Sequence, residues 1–229
     1  MLQPDEPGAP RKLGLRERNK LDKIQRIRRA ALEMFESNGY EATTTREIAE
    51  RADVAIGTLF LYADGKHDLL FLIFNDDLDR LAEQAFAAIN GSDSLTEQVL
   101  QIFAPQYRLF LTRAPLAKAM LREMVFLAHG KQTDQFLRNR VRLMTGLEEL
   151  VRQAIDDQRI TTAADPALIA KIFFALFSAE VRQWLNMESQ PDLMVGLDSL
   201  RQTLMVFAHG LGESTTRPAP GRLGVPAHV

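Results

Sequence analysis

The sequence predicts an all-α protein, and three observations carry that prediction. Apolar residues recur three and four positions apart along most of the chain, and no run alternates with period two over the length of a strand. Helix-starting and helix-stopping residues punctuate this pattern repeatedly. With 229 residues, 46% of them hydrophobic, the chain can bury a substantial core. The expected layout is about nine helices, a three-helix head over residues 18–64 followed by a larger helical region over 65–212.

The ends carry no periodicity. Residues 1–17 are rich in Pro and Gly and read as a mobile arm, and residues 213–229 read as a mobile tail. The first helix presents Ile24, Ile27, Ala31, Met34 and Phe35 as its buried stripe and stops at Gly39, a residue suited to a left-handed terminus. Thr44 and Glu47 form a capping box that starts the second helix, and a third is expected from about Ala55 to Tyr62. A long fourth helix begins near Gly65, carries Leu69, Leu70, Ile73, Phe74, Leu78, Leu81, Ala85 and Phe86, and breaks at "NGSDS". Ser94 and Glu97 make a second capping box for the fifth helix, in which Pro105 removes a backbone donor and predicts a kink. Pro115 opens the sixth helix, which is expected to end at the "AHG" of 128–130, and the seventh follows Thr133 and runs to "DDQRI". Asp165 and Pro166 start the eighth helix, and Pro191 opens the ninth.

Charge is unevenly spread. Between Arg11 and Arg29 lie nine basic residues opposed only by Glu17 and Asp22, although the whole chain has a formal charge of -2. Such a block suits a polyanion partner, or it is simply a solvated arm. The absence of cysteine excludes disulfides and thiolate metal sites, and a reducing cytosol is the natural compartment. The N-terminus lacks the pattern of a signal peptide, and the longest apolar run, "IFFALF", is far short of the ~20 residues that span a bilayer. A cytoplasmic protein with no membrane association is expected. His67, His129, His209 and His228 are scattered, and neither a glycine-rich phosphate loop nor a nucleophile elbow occurs. The acidic pairs at 76–77 and 156–157 read as solvated faces. No enzymatic activity, cofactor or metal is expected.

The stretch "TTTREIAERADVAIGTLFLYADGKHDLL", residues 43–70, has the requirements of a helix-turn-helix. Ala49 is small where two helices must cross, Ile48 and Ala52 complete an inner face, Asp53 occupies the turn, and Val54 and Leu59 supply buried aliphatics. The order Thr-x-x-x-Ile-Ala, Ala-x-Val, Gly-Thr-Leu-aromatic-x-Tyr and Lys-x-x-Leu-Leu resembles the tetracycline-repressor (TetR) family of bacterial transcriptional regulators over roughly residues 20–70. Three positions depart from the family pattern. Asp53 stands where Gly is usual, Ala55 where a capping Ser is frequent, and Ala63 where an aromatic commonly follows the Tyr. The first two are expected to weaken turn and cap by ~1 kcal/mol each, and the third to loosen the junction with the fourth helix.

The resemblance implies double-stranded DNA as the partner, with a palindromic operator as the site. Thr44 and Thr45 then lie at a helix N-terminus suited to a phosphate oxygen. Arg46 matches a base-reading position, with an i,i+4 pair to Glu50 as the alternative. Gly57 permits close backbone approach, Thr58 donates to a phosphate, and Ile56 and Phe60 offer apolar contact, which favours thymine nearby. Tyr62 and Lys66 match the family's phosphate clamp, and Arg28, Arg29 and the upstream arm add nonspecific contacts.

In the remaining two-thirds, Leu193, Leu197, Leu200, Leu204, Phe207 and Leu211 recur at spacings of four and three, a seam that meets another helix. It is either protomer core or, as the resemblance implies, part of a homodimer interface formed by helices eight and nine. Aromatic and Met residues cluster in helices four to eight. Packing accounts for them by default, whereas the resemblance implies that several line a cavity for an apolar small-molecule effector. The candidates are Phe74, Leu78, Phe103, Tyr107, Met120, Met124, Phe136, Met144, Phe173 and Phe177; Phe110, Phe126, Phe174 and Trp184 belong to the same cluster. The reading is a ligand-responsive repressor. The alternatives are an all-α ligand-binding or interaction module without operator recognition, and a DNA-binding regulator lacking a small-molecule effector.

Overall fold

Leu15 to Asn38 form one unbroken helix, so the last three residues of the expected arm are helical, and its residues 1–13 lie outside the described residues. The structure is a computed structural model that describes residues 14–124, 129–187 and 191–210. Among these residues nine helices and no strand occur. The head comprises α1 (Leu15–Asn38), α2 (Thr45–Arg51) and α3 (Ile56–Leu59). The body comprises α4 (Lys66–Ala87), α5 (Leu95–Thr112), α6 (Ala114–Glu123), α7 (Lys131–Asp156), α8 (Pro166–Leu185) and α9 (Leu193–His209). The tail at 213–229, Phe126 and Leu211 lie outside the described residues.

Local signals set most boundaries. Gly39 ends α1 with φ 84° and donates its N–H to Phe35 O at 3.1 Å, although its ψ of 153° lies outside the left-handed helical well. The buried Thr43 hydroxyl donates to Gly39 O at 2.8 Å, satisfying a carbonyl beyond the helix end. Thr44 and Glu47 form the full capping box at α2. At α5 half of the expected box is made: Ser94 accepts from Glu97 N, but the Glu97 carboxylate turns to Arg201 on α9 at 3.0 Å. An ion pair with α9 replaces the reciprocal cap. Pro105 sits inside α5 without ending it.

Three other boundaries differ from expectation. α3 is regular only over Ile56–Leu59, and the chain then tightens into a turn in which Leu61 N and Tyr62 N reach back three residues, to Thr58 O and Leu59 O. α6 spans Ala114–Glu123, residues 125–128 lie outside the described residues, and Gly130, the last residue of "AHG", is the N-cap of α7 and so starts a helix. α9 is started by Asp192, whose carboxylate accepts from Met194 N and Val195 N, one residue after the expected Pro191. Asp165 caps α8 as expected.

α5 runs through the middle of the body and packs on α4, α6, α7, α8 and α9. Its aromatic residues build the core: Phe103 stacks on Phe177 with centroids 4.1 Å apart, Tyr107 lies 4.8 Å from Trp184, and Phe110 meets Phe74 edge-on. α4 and α7 lie side by side and run in the same direction, with Asn75 near Asn139, Asp79 paired to Arg142, and Phe86 against Gly146. Gly146 permits this approach, since a Cβ there would fall 2.5 Å from the Phe86 ring.

Candidate nucleic-acid interface

The head is a small core with a short helix on its surface. Ile27, Ala31 and Phe35 of α1 meet Ile48 and Ala49 of α2 and Leu59 of α3, all at most 2% exposed. Ile24 and Met34 border this core half-buried. Ala52 and the turn residue Asp53 then reverse the chain, and Asp53 adopts φ 52°, which Asp tolerates better than most residues. Arg26 lies 3.4 Å from the Asp53 carboxylate, and Arg51 bridges to Glu33 on α1 at 2.7 Å. Ala55 precedes α3 without any side-chain cap. Ala63 is fully buried, so the small residue leaves no opening to solvent at the junction with α4.

This core leaves Ile56, Gly57 and Phe60 exposed along α3 and its following turn, with Thr58 half-buried. Leu61 joins them at 68% exposure, a residue absent from the sequence-based set. The run "LFLY" contains the signal, because four consecutive apolar residues on a single turn cannot all face the core. Thr44 has its amide and hydroxyl engaged by the Glu47 carboxylate at 2.8 and 2.7 Å, so a phosphate there competes with an internal anion. Thr45 is half-buried beside it. Arg46 is 84% exposed and lies 3.3 Å from Glu50, the alternative raised by its spacing; the pair is too solvated to hold the side chain strongly.

The expected phosphate clamp is folded inward. Lys66 Nζ donates to Glu41 O at 2.9 Å and lies 4.7 Å from the centre of the Tyr40 ring. Tyr62 is half-buried, and its carbonyl accepts from Gln132. Arg28 differs more sharply from expectation: it binds Ile73 O and the Asp77 carboxylate, at 2.9 and 2.8 Å, and so ties α1 to α4. Arg29 stays exposed. Burial pushes the Asp77 carboxyl up, but the hydrogen bond from Arg80 and the charges of Arg28 and Arg113 outweigh it and hold the group below its ordinary value.

The body contains an apolar cavity of about 50 Å³ between α4, α5, α6, α7 and α8. Leu78, Met120, Met124, Phe136 and Phe177, five of the candidates, line it together with Phe110, Leu143 and Phe174, which that candidate set omitted. Arg140 stands at the wall with its guanidinium 4.7 Å from the Phe174 ring. Phe74, Phe103 and Tyr107 are instead fully buried packing residues, Phe173 packs edge-on against Phe207, and Met144 lies away from the lining. The Tyr107 hydroxyl has no hydrogen-bond partner among the described residues, and burial followed by the charge of Glu180 pushes its phenol well above the ordinary value.

The α9 seam also resolves differently. Leu197, Leu200 and Leu204 are buried within the protomer, while Leu193 and Phe207 are half-buried against its core, so this face packs on α5 and α8. The apolar residues that α9 leaves exposed are Met194, Val195, Met205 and Val206, with Leu168 on α8. Periodicity identified an apolar stripe but could not say which surface it faces.

Comparison with known proteins agrees with this geometry. Residues 27–73 match the model of the bacterial regulatory proteins of the tetR family. The fatty acid metabolism regulator protein of Bacillus subtilis (strain 168) is 23% identical over 197 residues, 84% of this chain and 98% of that protein. The transcriptional repressor KstR of Mycolicibacterium smegmatis is 37% identical over 107 residues, 46% of this chain and 52% of that protein. Thermus thermophilus FadR, a TetR-family repressor solved with lauroyl-CoA, shares the fold with a TM-score of 0.65 at 21% identity, covering 87% of this chain and all of that one. No helix among the described residues is long and apolar enough to cross a membrane. With a capped α2, a positive-φ turn and an exposed α3 mounted on a helical body, residues 27–73 form a head like that of the tetR-family regulatory proteins, and the chain is a DNA-binding transcriptional regulator.

Proposed function

We propose that the protein is a cytoplasmic, non-enzymatic repressor that binds a palindromic operator as a homodimer and releases it when an apolar-chain ligand of the acyl-CoA class enters the body. The proposed division is a head over residues 18–64 and an effector and dimerisation region over 65–212. The observation that carries the reading is the apolar cavity beneath a tetR-family head. The lauroyl-CoA complex of the Thermus thermophilus protein and the fatty acid role named for the Bacillus subtilis relative favour an acyl chain. A cavity of about 50 Å³ is well below the ~300 Å³ at which small-molecule sites begin. Ligand entry therefore requires the walls to separate, and the work of separation is what biases the head.

On the DNA side, Ile56, Phe60 and Leu61 supply apolar contacts, Gly57 and Thr58 approach the backbone, and Arg46 and Lys66 swing from their internal partners to base and phosphate. Thr45 adds a backbone contact near the start of α2, and Thr44 contributes mainly by capping. Leu168, Met194, Val195, Met205 and Val206 form the proposed dimer surface, since one short α3 reads too few bases and two-fold symmetry doubles the site. The test is to select binding sites from random duplexes and titrate the resulting complex with lauroyl-CoA and with coenzyme A alone. A palindrome released by lauroyl-CoA only is the expected result. Selection of no duplex refutes the operator reading, and indifference to acyl chains refutes the effector class.

A further inference from the structure

The start of α7 lies at the foot of the head, and its backbone is capped by another helix. Gly130, the N-cap of α7, carries no side chain. In its place the fully buried Asp68 of α4 accepts from Gln132 N at 3.0 Å, Thr133 N at 2.8 Å and Thr133 Oγ1 at 3.0 Å, and from Asp64 N at 2.9 Å. A Cβ on Gly130 would fall 2.5 Å from Asp68 Oδ1, so glycine is what allows the carboxylate to reach. The α7 dipole also favours an anion here. The same turn reaches upward: Lys131 Nζ donates to Phe60 O at 3.1 Å, and Gln132 Nε2 donates to Tyr62 O at 2.9 Å. Lys131 also pairs with Asp64. These acceptors belong to the turn that ends α3, where helix carbonyls lack internal partners.

We propose that Asp68 is a positioning residue for the reading head: by capping α7 from α4, it makes the first turn of α7 a fixed mount for the end of α3. Leu78 of α4 and Phe136 and Leu143 of α7 wall the cavity, about 15 Å along α4 from Asp68 at the rise of a helix. Separation of these two parallel helices at the cavity pivots α7 about the clasp and carries Phe60 and Tyr62 with it. The ligand-driven part of this inference rests on the proposed function, while the mount itself does not.

The chain has no cysteine, so spin labels at Ser37→Cys on the head and Thr145→Cys on α7 report the head-to-body distance directly. The unmodified clasp is expected to give a narrow distribution. Asp68→Ala broadens it, and Lys131→Ala with Gln132→Ala, which leaves the Asp68 cap in place, broadens it without changing helix content by circular dichroism. In the double variant the ratio of operator affinities without and with lauroyl-CoA falls about tenfold, within the range of allosteric couplings. A distribution as narrow as that of the parent in the double variant overturns the mount, whatever Asp68→Ala does to folding. Broadening in a protein whose parent does not respond to lauroyl-CoA keeps the mount and removes the effector reading. Broadening with an unchanged release ratio overturns the transmission through it.

Discussion

Two apolar stripes, the short one of α3 with its turn and the long one of α9, have opposite fates. α3 is four residues long, and with its turn it exposes Ile56, Phe60 and Leu61; α9 is seventeen residues long and buries Leu197, Leu200 and Leu204. A stripe on a helix that rests on one small core has an uncovered side. A stripe on a helix laid along α5 and α8 has its strongest apolar face covered within the protomer, and what remains outside is the weaker set Met194, Val195, Met205 and Val206. Apolar strength therefore marks the protomer's interior, and surface function falls to the residues left over.

The largest expected effect tests α9. Leu200→Ala removes a fully buried side chain and is expected to cost about 3 kcal/mol in urea unfolding. Met205→Ala is expected to leave protomer unfolding nearly unchanged while weakening self-association in sedimentation equilibrium. If the two swap behaviour, the assignment of faces is wrong. Next, Asp77→Asn breaks the cluster that ties α1 to α4 and to Arg113, and it is expected to cost about 2 kcal/mol, the group being 21% exposed. Because its native pKa is depressed, the contribution of Asp77 is complete above the ordinary carboxylate range and is lost as pH falls through that range toward the native value. The variant's stability is thus expected to fall less steeply than the parent's between about pH 5 and pH 2.

Within the head, Thr44→Ala removes the capping box and is expected to cost about 1 kcal/mol in thermal unfolding. Lys66→Ala is expected to weaken all duplexes alike by about 1 kcal/mol and to reduce the salt slope by about one, whereas Arg46→Ala relaxes a single base position; salt-titrated anisotropy on matched and mismatched sites separates them. The smallest effect is on stability in Arg46→Ala, because its pair with Glu50 is exposed on both sides.

Legibility followed the range of the interaction. The capping box at Thr44, the turn at Asp53, the end of α1 at Gly39 and the cap at Asp165 are decided within a few neighbouring residues, so the sequence alone announced them. The same holds for the head's composite motif, whose small, aliphatic and aromatic positions are close in the chain as well as in space. Arg28 looked like a phosphate contact until Ile73 and Asp77, far along the chain, claimed it. Phe103 and Phe177 looked alike, yet one is wholly core and the other also borders the cavity. Gly130 looked like a helix end and proved to be a helix start, because its partner is a carboxylate on another helix.

By itself, then, the sequence determined the all-helical class, most helix starts and the identity of the head, since backbone capping and hydrophobic periodicity act over one or two turns. The tertiary structure alone decided which face of α9 is inside, which aromatics border space, and that α7 is capped from α4. Those outcomes depend on contacts between residues dozens of positions apart, and the free energy of burial responds to whichever surface arrives there, not to the local pattern that brought it.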